Sequence, residues 1–366
     1  MSELNALKFY KECVGLLQSL IAVPSFSNEE EKAADIWQGW LERMGAGDVK
    51  RFHNNVYVSA SNFNPGKPIL LLNSHLDTVK PVSSYTRDPF EPKIEDGRLY
   101  GLGSNDAGAS GVTLAASFLS LKDIEDLPVN LLLAISASEE RMGEYGMRAF
   151  LPHLKEKQLY PDMAIVGEPT SLEAAIAEKG LVVLDAIVEG KAGHAARNNG
   201  INAISRAIED IAVINNLKPS KVSEVLGPLN INVTMINAGT QHNIIPDRCS
   251  YVVDVRTTDA FPNEEIAALL SEHTSWTQFS PRSVRIKPSV LNSTHPLYIA
   301  AKRTGHTTVV SPTTSDMALM HDIPSLKIGP GESNRSHSAD EFIFLSEIRD
   351  ALEIYPHLIL NILIQK

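Results

Sequence analysis

Cysteine is nearly absent from this chain. There are two, Cys13 and Cys249, far apart and outside any CxxC pair. That excludes a disulfide framework and an all-thiolate zinc site, and it fits a reducing compartment, the cytoplasm. Long apolar runs are missing too. The greasiest stretches, LLLAI at 131–135 and LILNILI at 358–364, fall far short of a membrane span, so no membrane partner is expected. The first 25 residues mix acids and bases without an apolar core, so no signal peptide is expected. Basic excess is lacking as well. The 33 Lys and Arg against 44 Asp and Glu leave a net charge of −11. Such a surface repels phosphate backbones, which disfavours a nucleic-acid partner. What is present is ordinary for a globular chain: 366 residues, 43% apolar and 21% charged. That length exceeds what one core usually supports, about 250–300 residues, so two domains are expected.

Apolar spacing divides the chain. Leu4, Leu7, Val14, Leu17 and Ile21 recur at helical intervals over 4–22, and Pro24 ends that helix. Segments 55–60, 68–73, 130–136 and 163–167 read as strands, and 108–121 as a helix. The ILLL run at 69–72 is continuously apolar, as in strands buried on both faces. Strands of this kind alternating with helices predict an α/β mixed sheet with helices on both faces. After Glu178 the pattern changes. Segments 181–189, 230–237 and 250–256 interleave polar with apolar residues, 283–287 closes the series, and helices at 201–216 and 263–273 separate them. This predicts a one-layer antiparallel sheet carrying two helices. The buried pattern then resumes, with a helix at 296–303, strands at 307–310 and 325–328, and a final helix from 345. The expectation is a discontinuous α/β domain, 1–178 and 291–366, interrupted by a smaller α+β domain at 179–290.

Segment 68–73 runs into Ser74-His75-Leu76-Asp77. Residues two apart in an extended segment point the same way, so His75 can bind a metal while Asp77 holds its other ring nitrogen. The plain alternative is a surface pair. Next comes the glycine-rich run from Tyr100 to Gly108. It is no dinucleotide loop, because Asp106 stands where GxGxxG needs glycine and would repel a pyrophosphate. GxSxG is not met around Ser110 either, so no nucleophile elbow is expected. Taken locally, Asp106 is a functional carboxylate or a helix cap. Segment 130–136 leads to Ser138-Glu139-Glu140, 163–167 to Glu168, and 325–328 to His337. Open α/β sheets bind ligands beyond the carboxyl ends of their strands. Four strands thus deliver His75, Glu139 or Glu140, Glu168 and His337 to one rim. Two histidines and several carboxylates without a thiolate suit a hydrolytic zinc, cobalt or manganese centre. These groups outnumber the ligands of one open zinc site, and a bridging carboxylate would admit two metals about 3.5–4 Å apart. The spare glutamate then serves as general base toward water.

Seven stretches together resemble one family: SHLDTV, DPFEP with GRLYGLGSNDAG, SASEE, VGEPT, GKAGHAA, GTQHNIIPD and SHSADEF. They are similar, in order, to the co-catalytic zinc amidohydrolases that include acetylornithine deacetylase, succinyl-diaminopimelate desuccinylase, aminoacylases and glutamate carboxypeptidases. The resemblance implies two divalent metal ions, zinc first and cobalt or manganese as alternatives. It makes Asp106 the bridging ligand, His75 and Glu168 the ligands of one metal, and Glu140 and His337 those of the other. Asp77 would orient His75, and Glu139 would be the base. The inserted domain would be a lid through which a homodimer forms, with His194 acting in the partner's active site on the oxyanion. Asn243 and Arg256 would contact substrate; for Arg256 a strand-end salt bridge is the alternative. Many members carry lysine two residues after the bridging aspartate, where this chain has Gly108. The GLGSNDAGASG run resembles the acetylornithine deacetylase branch. That implies cleavage of N-acetyl-L-ornithine to L-ornithine and acetate, with acetylcitrulline, succinyl-ornithine, succinyl-diaminopimelate and dipeptides as alternative substrates. A metal-free binding protein would have lost one of these acids or histidines, and all are present.

Overall fold

The computed structural model describes residues 6–363. They form two compact units, one built from 6–176, 291–311 and 315–363, the other from 177–290 and 312–314. The first helix is Tyr10–Ile21, preceded by a single turn, Ala6–Phe9; the expected Leu4 lies outside the described residues.

A mixed sheet organises the first unit. Its centre is four parallel strands in the order Asn130–Ser136, Ile69–His75, Met163–Val166, Ser325–Lys327. Antiparallel neighbours flank them: Asn55–Ser59 on one side and Ala174–Glu178 on the other. All seven residues of Ile69–His75 are buried, and so are all seven of Asn130–Ser136. The pleat sends successive side chains to opposite faces. Leu70, Leu72, Leu131, Leu133 and Ile135 join one core, with Trp37, Val112, Phe118 and Tyr355 from covering helices. Ile69, Leu71, Leu132 and Ala134 join a second core on the other face, with Phe150, Leu154 and Met320. Continuous apolar runs are therefore required here, because neither face meets water.

Several elements have no counterpart in the sequence reading, among them helix Glu31–Arg43 and strand Ala174–Glu178. Helix Ala149–Glu156 contributes Phe150, Leu151 and Leu154 to the second core. A separate three-stranded sheet pairs Phe342–Phe344 with Arg98–Tyr100, and that strand with Lys93–Glu95. These strands are too short to show a period, yet they bring Glu341 beside the glycine-rich run, where its carbonyl accepts from Gly101 N–H at 2.9 Å.

The second unit follows the order β-α-β-β-α-β: Gly180–Glu189, Ala203–Asn216, Asn230–Ala238, Arg248–Thr257, Ile266–His273 and Thr277–Ile286. Its four strands are all antiparallel, with Asn230–Ala238 and Thr277–Ile286 at the edges. Val182, Leu184, Ala186 and Val188 alternate inward with Cys249, Tyr251, Val253 and Val255, against helix residues Ala207, Ile214, Ile266 and Leu270. The last strand begins at Thr277 rather than at 283, because Gln278, Ser280 and Pro281 hide its alternation. Among the described residues no helix is long and apolar enough to cross a membrane.

Candidate metal centre

Parallel pairing aligns the carboxyl ends of the central strands. His75 ends its own strand and pairs with Ser136, so Glu139 and Glu140 follow directly on the neighbouring strand. Val166, two residues before Glu168, lies beside Asn73 on one side and Lys327 on the other. Close packing fixes Glu168 further. A Cβ on Gly329 would come within 2.5 Å of the Glu168 carbonyl oxygen, so only glycine lets these two chain segments meet.

The side chains converge. Asp106 Oδ1 lies 3.3 Å from His75 Nε2, and Asp106 Oδ2 lies 3.6 Å from His337 Nε2. Each oxygen of one carboxylate thus faces a different histidine. Glu168 Oε1 stands 3.8 Å from His75 Nε2, and Glu140 Oε2 stands 2.9 Å from His337 Nε2. Ligand atoms of His75, Asp106 and Glu140 lie within 4.8 Å of one another, as do those of His75, Glu139 and Glu168. All six side chains are buried or half-buried except His337, which is exposed.

Crowding of acids in a dry site sets the electrostatics. Burial and then the neighbouring acids hold Glu139 well above the usual carboxyl range, although His75 pulls the other way. Burial, followed by repulsion from Asp106 against the pull of His75, pushes Glu168 up to about 8. Burial works against a charged His75, yet the hydrogen bond to Asp106 and the charges of Glu168 and Glu139 raise it well above 6.5. Asp106 goes down despite its burial, because His75 and His337 favour its ionised form. The hydrogen bond to Glu140 carries His337 up to about 9. Imidazoles and carboxylates that must hold protons in place of a cation fit a divalent metal. Thiolates play no part: Cys13 is buried and donates to the Val112 carbonyl, and Cys249 is buried in the other unit.

Residues 71–361 match the family described as peptidase family M20/M25/M40. The chain belongs to that family. It is therefore a hydrolase, and two kinds of name occur among its relatives. A succinyl-diaminopimelate desuccinylase of Wolbachia pipientis is 26% identical over 95% of this chain and 92% of its own. An acetylornithine deacetylase of Yersinia pseudotuberculosis is 28% identical over 94% of this chain and 96% of its own. Among solved structures, aminopeptidase PepT of Bacillus cereus superposes with a TM-score of 0.77 at 19% identity, covering 96% of this chain and 98% of that one. A dinuclear metal binding M20 peptidase of Bacillus subtilis reaches 0.71 at 16% identity, covering 96% and 98%.

The structure sharpens two local readings in this M20 hydrolase. Asp106 is not a helix cap: the following helix starts at Ala109 with Gly108 before it. Asp77 reaches His75 mainly through its main chain, whose carbonyl lies 2.9 Å from His75 Nδ1 while the carboxylate is 3.7 Å away. That carboxylate instead accepts from Glu139 N–H at 2.9 Å, Glu140 N–H at 3.2 Å and Ser27 Oγ at 2.6 Å.

His194, Asn243 and Arg256 belong to the second unit. Strand pairing sets His194 opposite Ile244, so Asn243 is its neighbour, and Ala195 N–H donates to the Asn243 carbonyl at 3.0 Å. Arg256 is held by Asp254, Nε to Oδ1 at 2.9 Å, which is the strand-end ion pair. Sequence reasoning gave no role to Glu30, Ser27 or Glu341. Glu341 accepts from Asn105 N–H at 2.8 Å and Asp106 N–H at 3.0 Å, holding the bridging candidate from behind. Its only sequence signal is its place in SHSADEF.

Proposed function

We propose that this M20 hydrolase cleaves the amide bond of an N-acyl-L-amino acid using two divalent metal ions, with N-acetyl-L-ornithine as the favoured substrate. One observation carries the reading: the two oxygens of Asp106 face two histidines, each with its own glutamate. Asp106 would be shared by the two ions, with His75 and Glu168 holding one and Glu140 and His337 the other. Zinc suits this donor set first, then cobalt or manganese. When bound, the metals polarise the amide carbonyl and acidify water.

The chain's own residues do the rest. Glu139 removes a proton from the attacking water as its oxygen adds to the carbonyl carbon. The same carboxyl then gives that proton to the amide nitrogen, the C–N bond breaks, and the acid and the free amine leave. Its burial suits both halves, because a carboxyl shielded from bulk water keeps the proton between the two steps. His194 Nδ1 accepts from Ala196 N–H, so the neutral ring carries its proton on Nε2, a donor suited to an oxyanion. Asn243 lies beside it, and Arg256 is available to a substrate carboxylate once it leaves Asp254. A homodimer forms through the second unit. Supporting this, Ile208 on helix Ala203–Asn216 and Met235 and Ile236 on edge strand Asn230–Ala238 are 58%, 64% and 56% exposed.

A desuccinylase is the second reading. Beside Glu140 lies a cavity of about 430 Å³ lined also by Glu29, Lys80 and Arg141, whose two cations suit an acyl group with its own carboxylate. A panel of N-acetyl and N-succinyl amino acids and dipeptides, with and without chelator, separates these readings. No chelator-sensitive hydrolysis of any member would sink both. Within the panel, Glu139→Gln should keep two metal ions per chain and lose about 10²–10⁴-fold in kcat. Near-normal kcat in that variant would remove Glu139 from the role.

A further inference from the structure

We propose that Glu30 is a positioning residue for proton transfer: its buried carboxylate fixes the turn that carries Glu139. The proposal rests on the reading of Glu139 as the base.

Glu30 directly precedes helix Glu31–Arg43 and is 1% exposed. Its Oε1 accepts from Asn28 N–H at 2.6 Å, Ser138 N–H at 3.1 Å and Ser138 Oγ at 2.8 Å. Its Oε2 accepts from Asn54 Nδ2 at 3.0 Å. Every one of these contacts is a donor, so the position calls for a group that only accepts, an ionised carboxylate.

The next two amides of the turn go to Asp77, Glu139 N–H to Oδ1 and Glu140 N–H to Oδ2. Three consecutive N–H groups are therefore gripped by two buried carboxylates from separate parts of the chain. The turn closes on itself through Met142 N–H to the Glu139 carbonyl and Gly143 N–H to the Ser138 carbonyl, both at 2.8 Å. Ser138 sits at φ +55°, in the left-handed region. A serine stays there only where its surroundings over-determine it, and Glu30 supplies two of the hydrogen bonds that do so.

Glu30 makes none of the hydrogen bonds of the candidate ligands, so its influence passes through Ser138 to Glu139. A base must stay within hydrogen-bond reach of both the water and the amine nitrogen, and a misplacement of about 1 Å can cost about 10²-fold. Loss of Glu30 should then lower turnover while sparing metal and substrate binding.

The test compares Glu30→Ala, Glu30→Gln and Glu139→Gln in the metal-loaded protein, using the best substrate of the acyl panel. Metal content, kcat, KM and hydrogen exchange of the 137–143 segment are measured for each. Glu30→Ala should keep two ions per chain and a KM within about twofold, lose about 10–100-fold in kcat, and exchange faster at 137–143. Glu30→Gln should recover part of the kcat, because one amide oxygen can still accept from Ser138 and Asn28. A kcat within twofold of wild type in Glu30→Ala overturns the proposal, and so does loss of metal in step with activity, which would make Glu30 a scaffold for the ligands. Should Glu30→Ala not fold, Ser138→Ala removes one of the two contacts; unchanged kcat and exchange there would count against the role. High activity in Glu139→Gln defeats the base reading instead, and the exchange data then still report whether Glu30 holds the turn.

Discussion

Removing the metals should make stability fall as pH rises, the reverse of ordinary acid denaturation. Glu168 shows why. Its pKa rises from 4.5 in an exposed chain to about 8 in the fold. A group whose folded pKa is raised contributes stability that is fully present below the unfolded value and is lost as pH climbs through the folded one. The whole shift corresponds to about 5 kcal/mol, of which about 3 kcal/mol falls between pH 5.5 and 8.5. Other groups act in the same direction. Burial lifts Asp77 to about 6 and Glu341 to about 8, and the Glu140 hydrogen bond lifts His337 to about 9. Asp106 shifts the other way, but its window lies below pH 3.8 and outside this range. Burial also holds His153, His295 and His306 below 6.5, which opposes the trend only at the acid end of the window. Using Glu168 alone, chelator-treated protein should melt about 6–12 °C lower at pH 8.5 than at pH 5.5, for a unit of this size. Metal ions take deprotonated ligands, so the gain in melting temperature on adding zinc should be larger at pH 8.5. Thermal melts at the two pH values, with chelator and with metal, measure both. A chelated protein equally or more stable at pH 8.5 would refute the account of these acids as a site waiting for cations.

Further outcomes follow from the same geometry. Gly329→Ala should weaken metal binding by pushing on the Glu168 carbonyl, and equilibrium dialysis against a metal buffer would register it; unchanged affinity would show that the segment gives way. Mixing Glu139→Gln with His194→Ala protein should restore activity if His194 acts across the dimer, since a mixed dimer has one site with both groups intact. Exchange of subunits without recovery would confine His194 to its own chain or remove it from catalysis.

Much of the fold is written in local patterns. ILLL at 69–72 and LLLAI at 131–135 must be sheet interior, because alternate residues feed cores on opposite faces and neither face tolerates a charge. The polar interleaving after Glu178 likewise marks a sheet covered on one side only. Those periods also place His75, Glu139, Glu140 and Glu168 at or just past strand ends, which is as far as spacing goes. Other features depend on contacts that no period encodes. Strand order is one, since pairing Asn130–Ser136, Ile69–His75 and Met163–Val166 joins segments distant in sequence. The setting of Asp106 is another: its main chain is held by Glu341 and its two oxygens divide between His75 and His337. Asp77 looked like a partner for the histidine two residues away, yet its carboxylate serves the Glu139–Glu140 amides, with Glu30 holding the amide before them. Hydrogen bonds to main-chain N–H groups leave almost no mark on sequence, because every residue but proline offers the same donor. The sequence by itself therefore determined the strongly periodic elements and which acids and histidines follow their strands, and only tertiary packing decided the short elements, which of these side chains meet and which backbone each buried carboxylate holds.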